Sequence, residues 1–599
     1  MKTKKRMPSP NSVMSGLRKT FLGIMTLLLI SNTQVYSQCT TSPGTITLPV
    51  GTVNWNFGTS RIKNIVVPNG CILNINAPQH MSPGITITIN TGGVVNLNSG
   101  GVLQACNVSW GGFRVKGNAA LSQAGSNQGK LNINGTGTIK HATLAVDVDG
   151  GGIITTNGGI FTDNKEAVSM DPYSIATPPN VTNNLSKFYG TTFVWTVLFP
   201  GTTSFTQHVK IKQVYNIHFG GCTFNNTYGN ASTNPTIRGK GLVSIEASFF
   251  CHRQNPTIIN GCNVYNETKT KFTNLLAGID GRTVTPNNLI RSSRIWQCEF
   301  LNNDHDIFID KEPEYKIDQN SFTYYQPNAL FFAGQTSFIK INQLLTGTYP
   351  TTGINYSIYR NEFNGYNNLI LDFLLINNTY YGLSVYKNTF TNSFPTNSGL
   401  AYGVKAQGNN IGASFTCNTY SGFYDRLLFF TGTNPVSFGS PTQTAANVFP
   451  PCSSINTAIL FILGTTSNYY YGPQPGQNPT GCNIGAFTLV SLPNLAQQNP
   501  CFDYTCTAPP RFAANDAPRS VEITAFPNPA SQNITFSANE EVEYRSLSIF
   551  DVSGKKVLET APVSEQTMTV DISIFQHGIY FYEIITADDE RITGKFIKE

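Results

Sequence analysis

The sequence predicts an all-β protein, a right-handed parallel β-helix followed by a small antiparallel β-sandwich. Three observations support this prediction. An apolar residue, an Asn or Cys three positions later and an aromatic residue two positions after that recur through the middle of the 599-residue chain. The segments before the first copy alternate apolar and polar residues, as strands with one buried face do. Residues 521–599 contain further alternating segments separated by Gly and Pro, which is typical of antiparallel strands.

The N-terminus has the layout of a secretory signal. A basic stretch is followed by the apolar run Phe21 to Ile30 and by the small residues of Val35-Tyr36-Ser37. The run is shorter than the roughly 20 residues of a membrane-spanning helix. We therefore expect residues 1–37 to be a signal peptide, with export through the periplasm and no transmembrane segment after its removal. A lipoprotein is the less favoured alternative, because Gln38 separates the cut from Cys39.

The charge of the chain gives no reason to expect a nucleic-acid partner. Residues 1–37 hold six basic residues and no acid, and these account for the whole formal charge of +6. Charged residues make up 12% of the chain, against roughly 25% in average domains. Residues 38–520 carry 27 basic and 20 acidic residues, which allows a slight attraction to acidic polysaccharide.

The central repeat has the length and the chemistry of one β-helix coil. Its copies are Phe219/Cys222/Phe224, Ile295/Cys298/Phe300, Ile317/Asn320/Phe322, Ile358/Asn361/Phe363, Val385/Asn388/Phe390 and Phe415/Asn418/Tyr420, with a degenerate copy at Ile245/Ser248/Phe250. In this interpretation the apolar residues of successive coils stack into one core. Asn suits the bend because it tolerates a left-handed backbone and bonds locally, and the aromatic residue points back inward. An array of β-sandwiches, the alternative, does not predict a fixed Asn or Cys position.

Cysteines and prolines give further boundaries. Twelve cysteines, all after the signal, are compatible with disulfides in an exported chain, and Cys501 with Cys506 could close a small loop. Buried free thiols are an equally ordinary outcome. Residues 507–520 contain three prolines and no apolar periodicity, which predicts a linker. The predicted division is a signal at 1–37, a β-helix at 38–506, a linker at 507–520 and a C-terminal domain at 521–599.

The C-terminal domain carries the most specific motifs of the chain. Their main residues are Phe526, Pro527, Asn528, Pro529, Gly554, Gly578, Tyr580, Gly594 and Lys595. The two prolines set an extended entry, and Gly554 provides a hairpin turn. In order and spacing these motifs closely resemble the type A C-terminal sorting domain of the type IX secretion system. The resemblance implies export by the type IX machinery, followed by attachment to the cell surface or by release.

A second resemblance concerns the β-helix itself. The segment Ser109 to Gly117, SWGGFRVKG, resembles an element near the start of exported Bacteroidetes β-helix proteins, and the predicted solenoid is pectin-lyase-like. Pectate lyases and polygalacturonases are built on parallel β-helices. Outward-facing acids on a strand are therefore the place to look for catalysis.

Asp304, Asp306 and Asp310 are the best catalytic candidates. If Ile307 and Ile309 point into the core, the three acids line the outer face of a strand. At about 3.3 Å per residue, Asp304 and Asp306 would lie roughly 6.6 Å apart. That distance approaches the roughly 6.5–9.5 Å between the carboxyl groups of inverting glycosidases.

The other chemical signals are weaker. His305 is expected to face inward or to sit in the bend, and a solvated acidic patch paired with Lys311 or Lys316 is the alternative to a catalytic site. Asp147-Val-Asp149 could bind Ca²⁺ on a turn, but Ca²⁺ takes about 6–8 oxygen ligands. Two carboxylates do not define such a site, so we expect no cofactor or metal.

Clustered tyrosines predict contact with glycans. Each cluster puts at least one ring outward if the backbone is a strand, and such rings can stack against sugar faces. The candidates are Tyr324, Tyr325, Tyr380, Tyr381, Tyr469, Tyr470 and Tyr471. The alternative is that the rings bridge neighbouring coils in cross-strand stacks.

Two functions remain at this point. The first is an extracellular or surface-held, non-catalytic adhesin, a stiff rod whose partners are polysaccharides. The second is a polysaccharide lyase or glycoside hydrolase on the same solenoid. The sequence contains no complete catalytic constellation, so we favour the first.

Overall fold

The computed structural model describes residues 39–173, 184–197, 204–228, 238–254, 257–259, 262–264, 268–284, 292–312, 314–325, 336–342, 356–366, 371–379, 382–393, 401–410, 412–431, 438–440, 444–450, 455–462, 467–471, 477, 487–491, 523–538, 544–553, 555–560, 567–586 and 591–599. The chain divides into two compact units. The first runs to Phe502 without Ile258–Val264, and these residues belong with Asp503–Glu599 in the second. The predicted signal, residues 1–37, and the predicted linker, 507–520, lie outside the described residues.

The first unit is a parallel β-helix of three sheets, as predicted. Sheet 1 has fifteen described strands: Thr45–Thr47, Asn64–Val67, Thr86–Ile89, Gly112–Val115, Leu144–Val148, Glu166–Met170, Gln207–Lys212, Lys240–Ile245, Ala277–Arg282, His305–Asp310, Thr336–Asn342, Leu371–Asn377, Ala401–Gln407, Tyr424–Thr431 and Ile455–Ile462. Sheet 2 has thirteen: Gly51–Trp55, Cys71–Ile75, Val94–Leu97, Lys130–Asn134, Ile153–Asn157, Lys187–Tyr189, Ile217–Gly220, Phe249–His252, Ser292–Trp296, Glu314–Asp318, Tyr356–Tyr359, Leu383–Tyr386 and Ser414–Thr416. Sheet 3 also has thirteen: Thr59–Arg61, Gln79–Met81, Val102–Ala105, Thr138–Lys140, Ile160–Thr162, Thr192–Trp195, Thr223–Asn226, Lys271–Thr273, Glu299–Leu301, Ser321–Tyr324, Glu362–Gly365, Thr389–Asn392 and Thr419–Gly422.

The first thirteen coils each contribute one described strand to each sheet in turn. Every such strand pairs in parallel with the equivalent strand of the next coil, and parallel strands linked within one sheet wind right-handed. A further two-stranded sheet joins Ser467–Tyr471 to Phe487–Ser491. No helix occurs among the described residues, and so none there is long and apolar enough to cross a membrane.

The Asn residues of the repeat, joined by Asn447, form an internal ladder at the corner between sheets 2 and 3. The members of this Asn ladder, each at most 1% exposed, are Asn320, Asn361, Asn388, Asn418 and Asn447. Each Oδ1 after the first accepts hydrogen bonds from the backbone N–H and the side-chain amide of the preceding member, at 2.9–3.2 Å. The left-handed backbone was expected at the Asn itself, which is wrong. It lies one residue earlier, at Gln319, Arg360, Lys387, Cys417 and Ala446.

The aromatic residues of the repeat point inward, as predicted, and together with four rings outside the repeat they form an internal stack beneath sheet 3. Its rings are Phe161, Phe193, Phe224, Phe272, Phe300, Phe322, Phe363, Phe390, Tyr420 and Phe449. Neighbouring centroids lie 4.6–5.0 Å apart, except for 5.9 Å at the last step. This spacing equals the distance of roughly 4.8 Å between paired strands, so the stack follows directly from the register.

The degenerate copy Ile245/Ser248/Phe250 does not belong to this corner. Ile245 ends a strand of sheet 1, and Phe250 lies half-buried in sheet 2. The triplet therefore spans the corner between sheets 1 and 2, and its assignment to the repeat was wrong.

In that coil the chain makes an excursion before it enters sheet 3. The excursion contains a two-stranded sheet of Thr257–Ile259 and Cys262–Val264. Thr270 then stands where other coils have Asn. Its hydroxyl accepts a hydrogen bond from the backbone N–H of Cys222 at 3.1 Å and lies 3.1 Å from the carbonyl oxygen of Phe219. A search for Asn at a constant offset cannot find this replacement.

Both expected outcomes for the cysteines occur. Cys39 and Cys106 form a disulfide, Cys417 is also disulfide-bonded, and the described free thiols, all buried, are Cys71, Cys222, Cys251 and Cys298. Burial raises the pKa of the Cys222 thiol to about 12, so this group stays protonated and unreactive. Cys501 and Cys506 lie outside the described residues.

The segment Ser109 to Gly117 is part of the β-helix core. Trp110 is fully buried, and its indole N–H donates a hydrogen bond to the carbonyl oxygen of Lys140 at 2.8 Å. Gly112 has a φ of +88°, and a Cβ there would lie 1.8 Å from the carbonyl oxygen of Leu144. Only glycine can bring the backbone this close, which explains its place in the motif.

The C-terminal residues form a small antiparallel sandwich, as predicted. One sheet contains Ile523–Phe526, Asn533–Ala538 and Thr567–Asp571, and the other contains, in spatial order, Lys556–Thr560, Tyr544–Phe550, Gly578–Thr586 and Arg591–Lys598. The sandwich has its own core, whose fully buried members are Ile534, Phe536, Leu547, Ile549, Ile572, Ile584 and Phe596.

Candidate functional site

The three catalytic candidates do not line one outer face, so that prediction was wrong. Ile307 and Ile309 point into the core, as expected. The strand pairing passes over Asp306, however, and Asp306 and Ile307 are both buried. Two successive inward residues break the alternation of a strand, as a bulge does. Only Asp310 remains at the outer face.

Asp306 occupies a column of inward side chains. In the next coil the same position is held by Phe338, whose ring lies 6.2 Å from that of Phe322 in the aromatic stack. Asn303 donates a hydrogen bond to Asp306 Oδ1 at 2.7 Å. Burial raises the pKa of Asp306 well above its ordinary value, Asn303 opposes the rise and Asp304 adds to it. A carboxyl group buried inside the coil is out of reach of a bound polysaccharide and cannot serve as its base.

Asp304 is held in a buried ion pair. Its Oδ1 lies 2.5 Å from Nη1 of Arg238, and the two residues are 7% and 2% exposed. Arg238 also donates hydrogen bonds to the carbonyl oxygens of Leu275 and Asn302. Burial raises the pKa of Asp304 to about 7, and the Arg238 charge limits the rise. Because Arg238 lies two coils earlier, the pair ties successive coils together.

The outer face of sheet 1 near Asp310 carries charges that compensate one another. Asp310 accepts a hydrogen bond from Asn342 at 2.9 Å. In the preceding coil Asp280 is 1% exposed, accepts bonds of 2.6 and 2.8 Å from Arg282 and pairs with Lys240. A carboxylate enclosed by two cations is a structural counter-charge rather than an acid or base available to a substrate.

His305 lies on this outer face, and the expectation that it faces inward or sits in the bend was wrong. It is half-buried and hydrogen-bonds the Ser337 hydroxyl at 2.9 Å. Burial, and next the Lys340 charge, lower its pKa to about 4, so it is neutral at neutral pH. The pairing of the acids with Lys311 or Lys316, which the alternative expected, does not form at Asp304 or Asp310.

An acidic cluster lies at the turn that the sequence singled out for Ca²⁺. Asp171 of the next coil joins Asp147 and Asp149, with carboxylate oxygens within 4.8 Å of one another. Asp147 lies 3.6 Å from Arg114, and Asp149 pairs with Lys116. Burial raises the pKa of Asp147, the other two acids add to the rise and Arg114 opposes it. Two nearby cations offset two of the acids, and three carboxylates fall short of the roughly 6–8 oxygen ligands of Ca²⁺.

Two of the predicted glycan-stacking tyrosines are inside the β-helix. Tyr324 is 2% exposed and Tyr469 is fully buried, so their predicted role was wrong. Both side chains lie in the core, where they fill the interior of a coil. Of the remaining candidates, Tyr470 and Tyr471 are half-buried, whereas Tyr380 and Tyr381 lie outside the described residues.

Tyr325 is exposed, and a second ring that the sequence analysis missed stands beside it. Tyr325 is 58% exposed, and its ring centroid lies 5.8 Å from that of Tyr366, which is 42% exposed. Phe423, which is 43% exposed, holds the equivalent position two coils further on. These three residues form an exposed row of rings at the end of sheet 3.

A larger set of rings and cations on the outer face of sheet 2 was also missed. We call it the aromatic–cation strip, and its members, all half-buried, are Lys187, Tyr189, His218, Phe250, His252, Arg294, Trp296, Lys316, Tyr359, Arg360, Tyr386 and Lys387. A sequence signal for it exists in Ile358-Tyr-Arg-Asn361 and Val385-Tyr-Lys-Asn388. The first residue of each faces the core, so the tyrosine after it must face outward.

The C-terminal motif closes the end of its own sandwich. Oδ1 of Asn528 accepts a hydrogen bond from the backbone N–H of Ile597 at 2.9 Å, and the N–H of Ala530 donates to the Ile597 carbonyl oxygen at 2.8 Å. Gly594 faces Tyr582, and a Cβ there would lie 2.3 Å from the phenol ring. The motif therefore covers an edge strand and permits a close ring contact.

The other motif residues have separate places. Tyr580 is 7% exposed and donates a hydrogen bond to the carbonyl oxygen of Gln576 at 2.9 Å. Lys595 pairs across the sheet with Phe581, and both line an open cavity of about 450 Å³. Gly554 lies outside the described residues.

Comparisons with known proteins identify one region of the chain. Residues 524–599 match a family described as "Secretion system C-terminal sorting domain". No curated protein matches the chain. Two solved structures are similar: the Dettilon tailspike protein (gp208), with 11% identity over 86% of this chain and 74% of that chain and a TM-score of 0.20, and the enzymatically active domain of bacteriophage CBA120 tailspike protein 2, with 10% identity over 88% and 72% and a TM-score of 0.17.

Proposed function

Because the chain ends in a type IX secretion sorting domain and is therefore exported to the cell surface or beyond, we propose that its β-helix contacts extracellular glycans without cleaving them. Residues 1–37 first direct the chain into the periplasm, and the sorting domain then passes it to the type IX machinery. The β-helix acts as a stiff adhesive element between the cell and surrounding polysaccharide.

The burial of the candidate acids carries this proposal. Asp306 lies inside the coil, and Asp304 is neutralised by Arg238 at 2.5 Å. The outward Asp280 is enclosed by two cations. An inverting glycosidase needs two accessible carboxyl groups facing one bond, and the described strands around Asp310 do not provide them. The exposed rings of Tyr325 and Tyr366, in contrast, present apolar faces to solvent.

A polysaccharide screen of the mature chain, residues 38–599, tests the proposal. Binding is measured together with the release of reducing or unsaturated chain ends. We expect at least one polysaccharide to bind with no new ends. A chain with both Tyr325→Ala and Tyr366→Ala should bind about tenfold more weakly, whereas Tyr325→Phe, which keeps the ring, should bind as the unaltered protein does. Release of new chain ends, or no binding to any polysaccharide, contradicts the proposal.

A further inference from the structure

We propose that the aromatic–cation strip of sheet 2 binds an acidic polysaccharide that runs along the β-helix axis. This inference rests on the proposed function, and it adds a second binding face and the charge of the ligand bound there.

The best-formed part of the strip combines two stacked rings with two cations. The rings of Tyr359 and Tyr386, in neighbouring coils, lie 5.3 Å apart at an angle of 14°. The Arg360 guanidinium is 4.7 Å from the centre of the first ring, and the Lys387 ammonium is 5.2 Å from the centre of the second. These cation–π contacts hold the long basic side chains against the outer face. A sugar ring with a carboxylate or sulfate would meet the outer edges of the stacked rings and a positive charge together.

The strip continues with the same chemistry toward the N-terminus. The Phe250 ring stacks on His218 at 5.0 Å, and His252 lies 6.2 Å from Tyr189. Burial, with smaller effects of His252 and Lys187, lowers the pKa of His218 to about 3. This imidazole is therefore neutral at neutral pH and contributes a ring rather than a charge.

Register extends the strip over seven consecutive strands of sheet 2, from Lys187–Tyr189 to Leu383–Tyr386. In one column the outward residues include Lys187, Arg294 and Lys316. Strands roughly 4.8 Å apart make the strip roughly 29 Å long. An extended polymer can therefore contact several coils at once, and weak contacts repeated along one chain add up.

The charges on the strip favour an acidic polysaccharide over a neutral one. Three cations, Lys187, Arg294 and Lys316, and two carboxylates, Glu314 and Asp318, stand on its strands, and two further cations, Arg360 and Lys387, stand at the adjoining corner. A neutral glycan would gain no electrostatic attraction from this excess of positive charge.

The same charges argue against a nucleic acid. A duplex carries one charge per roughly 1.7 Å, which gives roughly 17 charges over the length of the strip. Three excess cations fit the sparser charge of a uronate-containing or sulfated polysaccharide.

Substitutions taken from neighbouring coils give a matched test. Gln297 and Gln319 hold the corner position of Arg360 and Lys387 with the same left-handed backbone, at φ of 54° and 56° against 53° and 55°. Arg360→Gln with Lys387→Gln therefore removes both charges without a new backbone conformation. Thr416 follows Tyr386 in the same column, so Tyr359→Thr with Tyr386→Thr removes both rings. The ligands are polygalacturonate and chondroitin sulfate, with dextran as the neutral comparison.

We expect the mature chain to bind at least one acidic polysaccharide more tightly than dextran, and less tightly as salt rises. The double Gln variant should lose roughly three- to tenfold in affinity for that polysaccharide, and the double Thr variant should lose at least as much. The far-ultraviolet circular dichroism of both variants should match that of the unaltered protein.

Two outcomes overturn the inference while the proposed function survives. One is dextran binding as tightly as the acidic ligands, and the other is unchanged binding by both strip variants when the Tyr325 and Tyr366 variant binds weakly. Tighter binding of a DNA duplex than of either acidic polysaccharide also overturns it. Failure of every polysaccharide to bind removes the proposed function and this inference together.

Discussion

Single residues decide which way the acids of this β-helix face. Counted forward from the outward-facing His305, strict alternation places Asp306 inside the coil. Counted back from the buried Ile307, the same alternation places Asp306 outside. Phe338 holds the position of Asp306 in the next coil, and its ring lies beside the internal aromatic stack, so Asp306 also points inward. The carboxyl group is thus an interior polar group with Asn303 as its partner.

The pH dependence of stability should report this interior carboxyl group. Its pKa is ordinary, about 3.9, in the unfolded chain and well above that in the folded chain. As pH rises above about 4, the unfolded chain releases the proton first, so the free energy of unfolding falls by up to about 1.4 kcal/mol per pH unit. Asp306→Asn should remove this loss, and its melting temperature should fall less than that of the unaltered protein between about pH 5 and about pH 8.

The control for this prediction is Asp310→Asn, which alters an acid at the outer face and should change the slope less. Asp304, whose pKa is raised to about 7, also lowers the free energy of unfolding as the pH rises toward 7. Because it is present in both variants, it cannot cause a difference between their slopes. Equal slopes for Asp306→Asn and the unaltered protein would place the carboxyl group in water instead of in the core.

The sequence could supply the identity of these residues but not their direction. The period of two locates a strand, yet one bulge reverses the face of every residue on one side of it. The buried partner of Asp304 was also out of reach, because Arg238 lies 66 residues earlier in the chain. The outward tyrosines of the strip were within reach, since they follow the inward apolar residue of the repeat directly.

At the scale of the element, the corner between sheets 2 and 3 is stabilised by the Asn ladder. Asn388 accepts from the backbone N–H of Asn361 at 3.0 Å and donates to the carbonyl oxygen of Ile358 at 2.8 Å. The Asn361 N–H lies at the corner between the strands Tyr356–Tyr359 and Glu362–Gly365, so the Asn388 amide supplies its hydrogen-bond partner at the bend.

Asn388→Ala should destabilise the protein by about 1–3 kcal/mol, because it leaves the buried backbone N–H of Asn361 without its partner. The matched control is Asn76→Ala. Asn76 also bonds side chain to side chain across coils, to Asn56 at 2.7 Å and from Asn98 at 2.8 Å, but on an exposed face. Water can replace those bonds, so its loss should cost less than about 0.5 kcal/mol. Urea unfolding measures both losses of free energy. Similar losses would mean that the internal ladder stabilises the protein no more than the exposed Asn contacts do.

The element that the sequence predicted best is this same corner, because one side-chain chemistry recurs there at a fixed offset. The prediction failed where geometry, rather than residue type, carries the information. The left-handed residue precedes the Asn, and it is Gln319, Arg360, Lys387, Cys417 or Ala446 in different coils, so no common residue type marks it. Thr270 takes over the role after an excursion whose length breaks the spacing.

At the scale of the whole molecule, the proposed binding surface and the sorting domain lie in two units with separate cores. The β-helix core runs from Trp55 to Tyr469, and the C-terminal core from Ile523 to Phe596. Each unit buries its own apolar residues. The residues of the sorting motif make their contacts within the sandwich, as Asn528 does with Ile597. A change confined to the sandwich should therefore alter delivery and leave the β-helix folded.

Gly594→Val tests this separation. The added side chain would meet the Tyr582 ring at 2.3 Å, and such overpacking costs about 1–3 kcal/mol, a large share of the stability of a small domain. We expect the variant to accumulate inside the cell, as deletion of residues 521–599 should, with the β-helix still resistant to protease in the retained material. Thr593→Val, at the neighbouring exposed position, should be exported normally. Cell fractionation with an antibody to the β-helix measures the distribution, and export of the deleted chain would show that delivery does not depend on the sandwich.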